Sequence, residues 1–233
     1  MKSYVILLGG GSGQRMGGGI NKVFLPLRGV PAIVRAAAPF SGLCAGAVAV
    51  ARQEEAEAMA DLFRRYGLDR FVTKVVAGGE ERQASVWNGL QALPEDAELV
   101  LIHDGARALV SEEVVARAIQ SAEEKGSGVA AIPVTDTVKR ADGAGKVLET
   151  LDRETLFFMQ TPQAFQLPLI RRAHERAAGD GYRATDDAAL LEHAGLPVYL
   201  TLGDRDNIKL TTPADLAIGE AILTRRREKE ALA

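Results

Sequence analysis

A run of apolar residues at 4–8 (YVILL) ends abruptly in Gly9-Gly10-Gly11-Ser12-Gly13, followed by Arg15, a second glycine cluster at 17–19, and Lys22. A short aliphatic run broken by glycines reads as a buried strand feeding a tight turn. Glycine lets a backbone approach a ligand closely and point several N–H groups into one concavity, an arrangement suited to an anion. Phosphate is the natural candidate, with Arg15 and Lys22 as balancing charge. A merely flexible N-terminal turn would give up too much conformational entropy for so many glycines. Two familiar glycine patterns fail. The dinucleotide fingerprint needs Gly at i, i+2 and i+5, yet Gln14 or Met16 occupies the third position, and no Gly-Lys-Ser/Thr closes a P-loop.

The pattern that follows extends this start into an α/β architecture. Residues 45–50, 71–76, 99–102 (LVLI) and 128–134 read as strands, and stretches at 32–40, 54–66, 84–93 and 112–125 carry helical patterning. Strand alternating with helix predicts a Rossmann-like, mostly parallel sheet covered by helices on both faces. The rhythm breaks after Val134. Asp142-Gly143-Ala144-Gly145 separates two short β-prone runs, which predicts a protruding antiparallel β-arm over residues 136–160. An isolated two-stranded hairpin is only marginally stable, so the arm is expected to pack on a second copy of the chain. Helices at 167–178 and 186–194, a strand at 198–202 and a last helix opened by Thr212-Pro213 complete the reading, with Arg225-Arg226-Arg227 expected to close that helix. The whole of 1–233 is read as one domain.

With 233 residues, 47% hydrophobic and 25% charged, the chain can bury a sizeable core. A net charge of −3 argues against general nucleic-acid binding, and the single cysteine, Cys44, against a disulfide or thiolate cluster. The opening apolar run is too short for a secretion signal and no run approaches a membrane span, so the expectation is a cytoplasmic protein.

Ligands of open parallel sheets sit beyond the carboxyl ends of the strands. Polar residues that follow apolar runs are therefore the candidates: 78–85, His103-Asp104-Gly105-Ala106-Arg107, and Thr135-Asp136-Thr137. Asp104 near a phosphate cradle is a natural Mg²⁺ ligand, because Mg²⁺ often takes one or two carboxylates plus phosphate oxygens. His103 fits a hydrogen-bonded turn partner better than an acid or base. The histidines are not at metal-binding spacing, and Ser85 lacks a nucleophile elbow. Arg15, Lys22, Arg107, Lys139, Arg153 and Lys209 form a distributed cationic set suited to phosphorylated partners.

These residues reach a family. The opening loop with Lys22 resembles the signature loop of sugar- and polyol-phosphate nucleotidyltransferases. Residues 79–86 (GEERQASV), 103–107 (HDGAR), 136–139 (DTVK), 152–153, 160–165 (QTPQAF), 185–187 (TDD) and 207–211 (NIKLT) narrow it. In that order they resemble the 2-C-methyl-D-erythritol 4-phosphate cytidylyltransferase family over nearly the whole chain. The related ribitol-5-phosphate cytidylyltransferases share many of the motifs, and a non-catalytic CTP-binding module is the alternative of another class. The resemblance implies Arg15 and Lys22 as catalytic cations and Gly10, Gly11, Ser12 and Gly13 as the triphosphate cradle. Gly79, Glu80 and Ser85 would contact cytosine and ribose. Asp104 would serve both CTP and a Mg²⁺ or other divalent ion. Arg107, Thr137, Arg153, Thr161, Asp186 and Lys209 would meet the polyol phosphate. It also implies a homodimer joined through the arm, with Arg153 serving the neighbouring site. The sequence departs from the family's usual pattern at Gly9 and Gly10 (usually Ala), Asn21 (often Pro), Gly105 (usually Ala) and Ala108 (usually Pro), changes expected to loosen the loop.

Overall fold

The computed structural model describes residues 1–11 and 21–231. In chain order the elements are β1 (Ser3–Leu8), β2 (Pro26–Leu27), β3 (Val30–Pro31), α1 (Ala32–Ala37), β4 (Gly46–Ala51), α2 (Ala56–Arg65), β5 (Val72–Ala77), α3 (Arg82–Ala92) and β6 (Leu99–Asp104). There follow α4 (Glu112–Lys125), β7 (Ser127–Pro133), β8 (Lys139–Ala141), β9 (Val147–Thr150), β10 (Phe157–Gln166), α5 (Leu167–Asp180), α6 (Asp187–His193), β11 (Leu200–Leu202) and α7 (Pro213–Ala231).

The main sheet has seven strands in the order β11-β7-β10-β6-β1-β4-β5. All neighbours are parallel except β10, which runs antiparallel to both β6 and β7. Period-2 alternation within the apolar runs divides the core between two faces. Val5, Leu7, Leu99 and Leu101 pack under α1, α2 and α4 with Ile33, Met59, Phe63 and Val115. Tyr4, Ile6, Val100 and Ile102 pack under α3, α5 and α6 with Leu90, Ile170 and Leu191. Residues 99–102 are fully buried because helices cover both sides, and burying each such side chain stabilises the fold by about 1.5–3 kcal/mol. The close approach of α4 to the sheet depends on Gly128, where an added Cβ would lie 2.2 Å from the Ala118 carbonyl.

The mostly parallel α/β fold and its antiparallel hairpin agree with the sequence reading. The strand β10 was not anticipated. It begins at Phe157, inside the range read as the excursion, and pairs Phe157 with Pro133 and Phe158 with Ile132. The hairpin proper is β8 against β9, exposed along its whole length. The last helix also runs beyond its expected end. Arg225 and Arg226 lie within α7 and pair with Asp206, and Arg226 also approaches Asp204. At its start, the Asp215 carboxylate accepts the Thr212 N–H at 2.7 Å, which caps the first turn. Among the described residues no helix is long and apolar enough to cross a membrane.

Candidate active site

The site begins where β1 and β6 end side by side. Leu8 is the register partner of Asp104, and the Gly105 N–H donates to the Leu8 carbonyl at 2.9 Å. The Gly9 N–H donates to the Val50 carbonyl at 2.7 Å, so the glycine stretch leaves across the ends of β1 and β4 with Asp104 on its other side. Gly10 and Gly11 belong to this departure; Ser12, Gly13 and Arg15 lie outside the described residues. Two departures from the family pattern have a packing reason. A Cβ at Gly9 would meet the Met59 methyl at 2.5 Å, and one at Gly105 would meet Ile33 Cδ1 at 2.3 Å. Here Met59 and Ile33 fill the space that an alanine methyl would take at these two positions.

The chain re-enters at Asn21, which is buried. Its amide donates to the Gly9 carbonyl at 2.5 Å and to the Glu55 carboxylate at 2.7 Å, while its Oδ1 accepts the Val23 N–H. Asn21 thereby caps the short 3-10 turn that Lys22 opens. Glu55 is held by Arg52 at 3.1 Å, and Arg52 also donates to the Gly11 carbonyl. One polar strap thus joins both ends of the opening loop.

Asp104 is the centre of charge. Its N–H donates to Thr161 Oγ1 at 3.0 Å, and its carboxylate lies 2.6 Å from Lys209 Nζ and 3.8 Å from Arg82 Nε. Burial alone would raise its pKa, but Lys209 and then Arg82 pull it down to about 2, so the group is ionised at neutral pH. Arg82 is itself fixed by Asp187, fully buried at 2.6 Å. Burial pushes the Asp187 carboxyl up despite that guanidinium. Gln163 sets the geometry from below: its carbonyl accepts the N–H groups of Asp187 and Ala188, and its amide donates to Asp186. Asp186 caps α6 by accepting the Ala189 N–H at 3.0 Å.

His103 is completely buried, and burial pushes its pKa down to about 4, so it is neutral. The Arg107 carbonyl can only accept, so Nε2–H donates to it at 3.2 Å, which leaves Nδ1 of the neutral ring to accept from the Thr161 hydroxyl at 3.0 Å. The ring is a strut. Arg107 is likewise committed, donating to the carbonyls of Asn207 at 2.7 Å and Met159 at 3.2 Å. Asn207, fully buried, donates to the Thr161 carbonyl, and Gln160 donates to that of Asp204. Together these bonds stitch the segment before α7 onto β10 and bring Lys209 to Asp104.

On the other flank the Gly79 N–H donates to Ser85 Oγ at 3.0 Å, and the Ser85 hydroxyl donates to the Glu81 carbonyl. Glu80 is exposed beside them. Thr137 is exposed at the foot of the hairpin, where Arg153 donates to the Thr135 carbonyl at 3.0 Å. The structure therefore gathers Asp104, Thr161, Arg107 and Lys209 into one cluster and leaves Thr137 and Arg153 on the excursion.

A profile of the family described as 2-C-methyl-D-erythritol 4-phosphate cytidylyltransferase matches residues 3–225. The chain belongs to this family. A member from Geobacillus thermodenitrificans is 47% identical over 228 residues, 97% of this chain and 99% of the relative. One from Halalkalibacterium halodurans is 44% identical over 98% of this chain and its own full length. Among solved structures, the 4-diphosphocytidyl-2C-methyl-D-erythritol synthase of Anaerococcus prevotii superposes with a TM-score of 0.85 at 28% identity, covering 96% of both chains. The Thermus thermophilus cytidylyltransferase gives 0.78 at 32% identity, covering 94% of this chain and 98% of that one.

Several residues that shape this family member's site carried no role in the sequence reading. Arg82, Gln160, Gln163, Asp187 and Asn207 all lie inside the quoted motifs, but linear order does not show which of them meet. The Arg52–Glu55 pair had a local signal, opposite charges at i and i+3 just after a strand. Among the described residues no three His, Cys, Asp or Glu converge as a metal cage. A single ionised carboxylate at the sheet edge fits a hard cation that takes most of its ligands from phosphate oxygens.

Proposed function

We propose that the chain transfers the cytidylyl group of CTP to 2-C-methyl-D-erythritol 4-phosphate, releasing pyrophosphate, with 1–233 acting as one nucleotidyltransferase domain. The observation that carries this is the pairing of Leu8 with Asp104, which sets an ionised carboxylate and Lys209 beside the exit of the glycine loop.

The acceptor's phosphate oxygen attacks the α-phosphorus of CTP, a new P–O bond forms, and the α–β bridging bond breaks with its electron pair leaving on pyrophosphate. A phosphate monoester is largely ionised at neutral pH, with a second pKa of about 6. No general base is needed, in keeping with a neutral His103 whose two nitrogens are both engaged. Catalysis then consists of positioning and charge neutralisation. In this reading Lys22 and Arg15 neutralise the α-phosphate, Gly10 to Gly13 cradle the triphosphate, and Gly79, Glu80 and Ser85 read the cytidine. Asp104 would hold a divalent cation, which supplies charge neutralisation across the phosphate oxygens when bound. Lys209 and Arg153 meet the acceptor phosphate. Arg107, Thr161 and Asp186 serve by holding the frame around it, since the terminal nitrogens of Arg107, the Thr161 hydroxyl and the Asp186 carboxylate are already engaged with backbone and neighbouring side chains.

The arm carries the homodimer reading. Val147, Leu148, Phe157, Phe158 and Met159 are exposed along it and at its base, an apolar surface that a second copy would cover.

The test is pyrophosphate release with CTP, Mg²⁺ and acceptor supplied together and singly, comparing 2-C-methyl-D-erythritol 4-phosphate with ribitol 5-phosphate. Release only with the complete methylerythritol mixture supports the reading. Preference for ribitol phosphate, or CTP binding without turnover, would overturn it. Lys22→Ala should lower turnover by about 10²–10³, the cost of one preorganised donor.

A further inference from the structure

Between α3, α5 and the turn after α5 lies a recess of about 660 Å³, within the size range of small-molecule sites. Trp87, His174 and Tyr182 line it, with Glu81, Glu175 and Arg183 at its edge. Trp87 and His174 stack at 5.6 Å with their planes 30° apart. His174 is only 4% exposed, its Nε2 has no hydrogen-bond partner, and burial keeps the ring neutral by pushing its pKa down to about 4. That nitrogen is sealed from the recess, so His174 gives it a neutral aromatic wall beside Trp87 rather than a hydrogen-bonding group.

We propose that this recess binds a flat, singly cationic heteroaromatic small molecule, and that its occupancy is transmitted to the start of α3. Two carboxylates against one guanidinium disfavour a polyphosphate, and the Trp87 face favours a cation. The nucleotide therefore belongs elsewhere. Transmission has a visible route. Arg183 pairs with Glu81 at 2.6 Å, the Gln83 side-chain amide donates to the Tyr182 backbone carbonyl at 3.3 Å, and the Ala184 N–H donates to Gln83 Oε1 at 3.1 Å. The turn that walls the recess is thus bonded to the helix start that presents Arg82 to Asp104 and Ser85 to Gly79.

Trp87 is the only tryptophan in the chain, so its emission reports on this site alone. Proflavine, a flat cation, should quench it saturably with a Kd below about 1 mM; 1-anilinonaphthalene-8-sulfonate, a flat anion, should bind more weakly. Ala178→Phe places a ring at the mouth of the recess on an exposed helix position and should weaken proflavine by about tenfold. Unsaturable quenching, equal affinity for the anion, or indifference to Ala178→Phe would overturn the site. The transmission rests on the CTP reading and has its own arm. With CTP binding verified by calorimetry, saturating CTP should shift the proflavine Kd about fivefold without abolishing quenching. An unchanged Kd would overturn the transmission, and full competition would move the dye into the nucleotide site and overturn the proposal.

Discussion

Replacing Arg82 by alanine tests the electrostatic frame most directly. Asp187 is fully buried, Arg82 meets one of its oxygens at 2.6 Å, and the other oxygen, Oδ1, has no partner at all. Removing one member of a buried pair leaves an uncompensated charge and costs about 3–5 kcal/mol, a large share of the 5–15 kcal/mol typical of a whole domain. The loss should depend on pH in a definite sense. Burial already pushes the Asp187 carboxyl above its ordinary value of 3.8, and Arg82 restrains that rise. Without Arg82 the folded chain holds the Asp187 proton more tightly than the unfolded chain does. Its stability therefore falls as pH rises from about 4 through the folded pKa, and the deficit is largest at neutral pH. Urea unfolding of wild type and Arg82→Ala at pH 7.5 and pH 5 reads this as a midpoint difference that narrows on acidification. Adding Asp187→Asn should return much of the stability, since the stranded charge is gone. An Arg82→Ala midpoint equal to wild type, a deficit independent of pH, or a double variant as weak as the single one would refute the reasoning.

Lys209→Met should make the protein more sensitive to acid. Asp104 is held at about 2 against an ordinary 3.8, so it contributes stability that is complete above about pH 4 and is lost as pH falls toward 2. The contribution is about 1–2 kcal/mol after allowance for solvent screening at half-exposed Lys209, and acid titration of far-UV circular dichroism should show the variant's midpoint displaced upward. Asn21→Ala breaks the strap at Gly9 and Glu55 and should cost about 1–3 kcal/mol in thermal unfolding, together with a fall in turnover that persists at temperatures where the variant is fully folded. Gly128→Ala forces α4 off the sheet and should cost about 1–3 kcal/mol or more in chemical denaturation. Gly143→Ala, at the hairpin turn with nothing within 4 Å of the added carbon, should stay within about 0.5 kcal/mol of wild type.

Most of the fold was legible because strands near the middle of the sheet, β1 and β6 above all, are built on uninterrupted aliphatic runs. Val100 and Ile102 serve one face and Leu99 and Leu101 the other, and both faces are buried. The same reasoning could not find β10. Its buried residues include Gln160, Thr161 and Gln163, whose polar groups are met by the 204–207 segment, by His103 and by the N-terminus of α6. A strand whose interior is satisfied by distant hydrogen bonds has no apolar period to read. The end of α7 was misplaced for a related reason: Arg225 and Arg226 pair with acids of the preceding loop, so the cations mark a tertiary contact rather than a helix terminus.

Asp104 was visible as the polar residue ending a buried run, but its partners come from segments more than twenty residues away on either side. Their different anchorage gives them different parts to play. Arg82 is clamped from behind by Asp187, which Gln163 holds through its backbone N–H, so this cation cannot leave without stranding a buried charge. Lys209 is half exposed and reaches Asp104 through a single amine contact at 2.6 Å, yet of the two cations it does more to hold the carboxylate ionised. The two cations thus share the charge state of Asp104, Lys209 from the open side at 2.6 Å and Arg82 from its buried anchorage at 3.8 Å, and the carboxylate stays ionised at neutral pH.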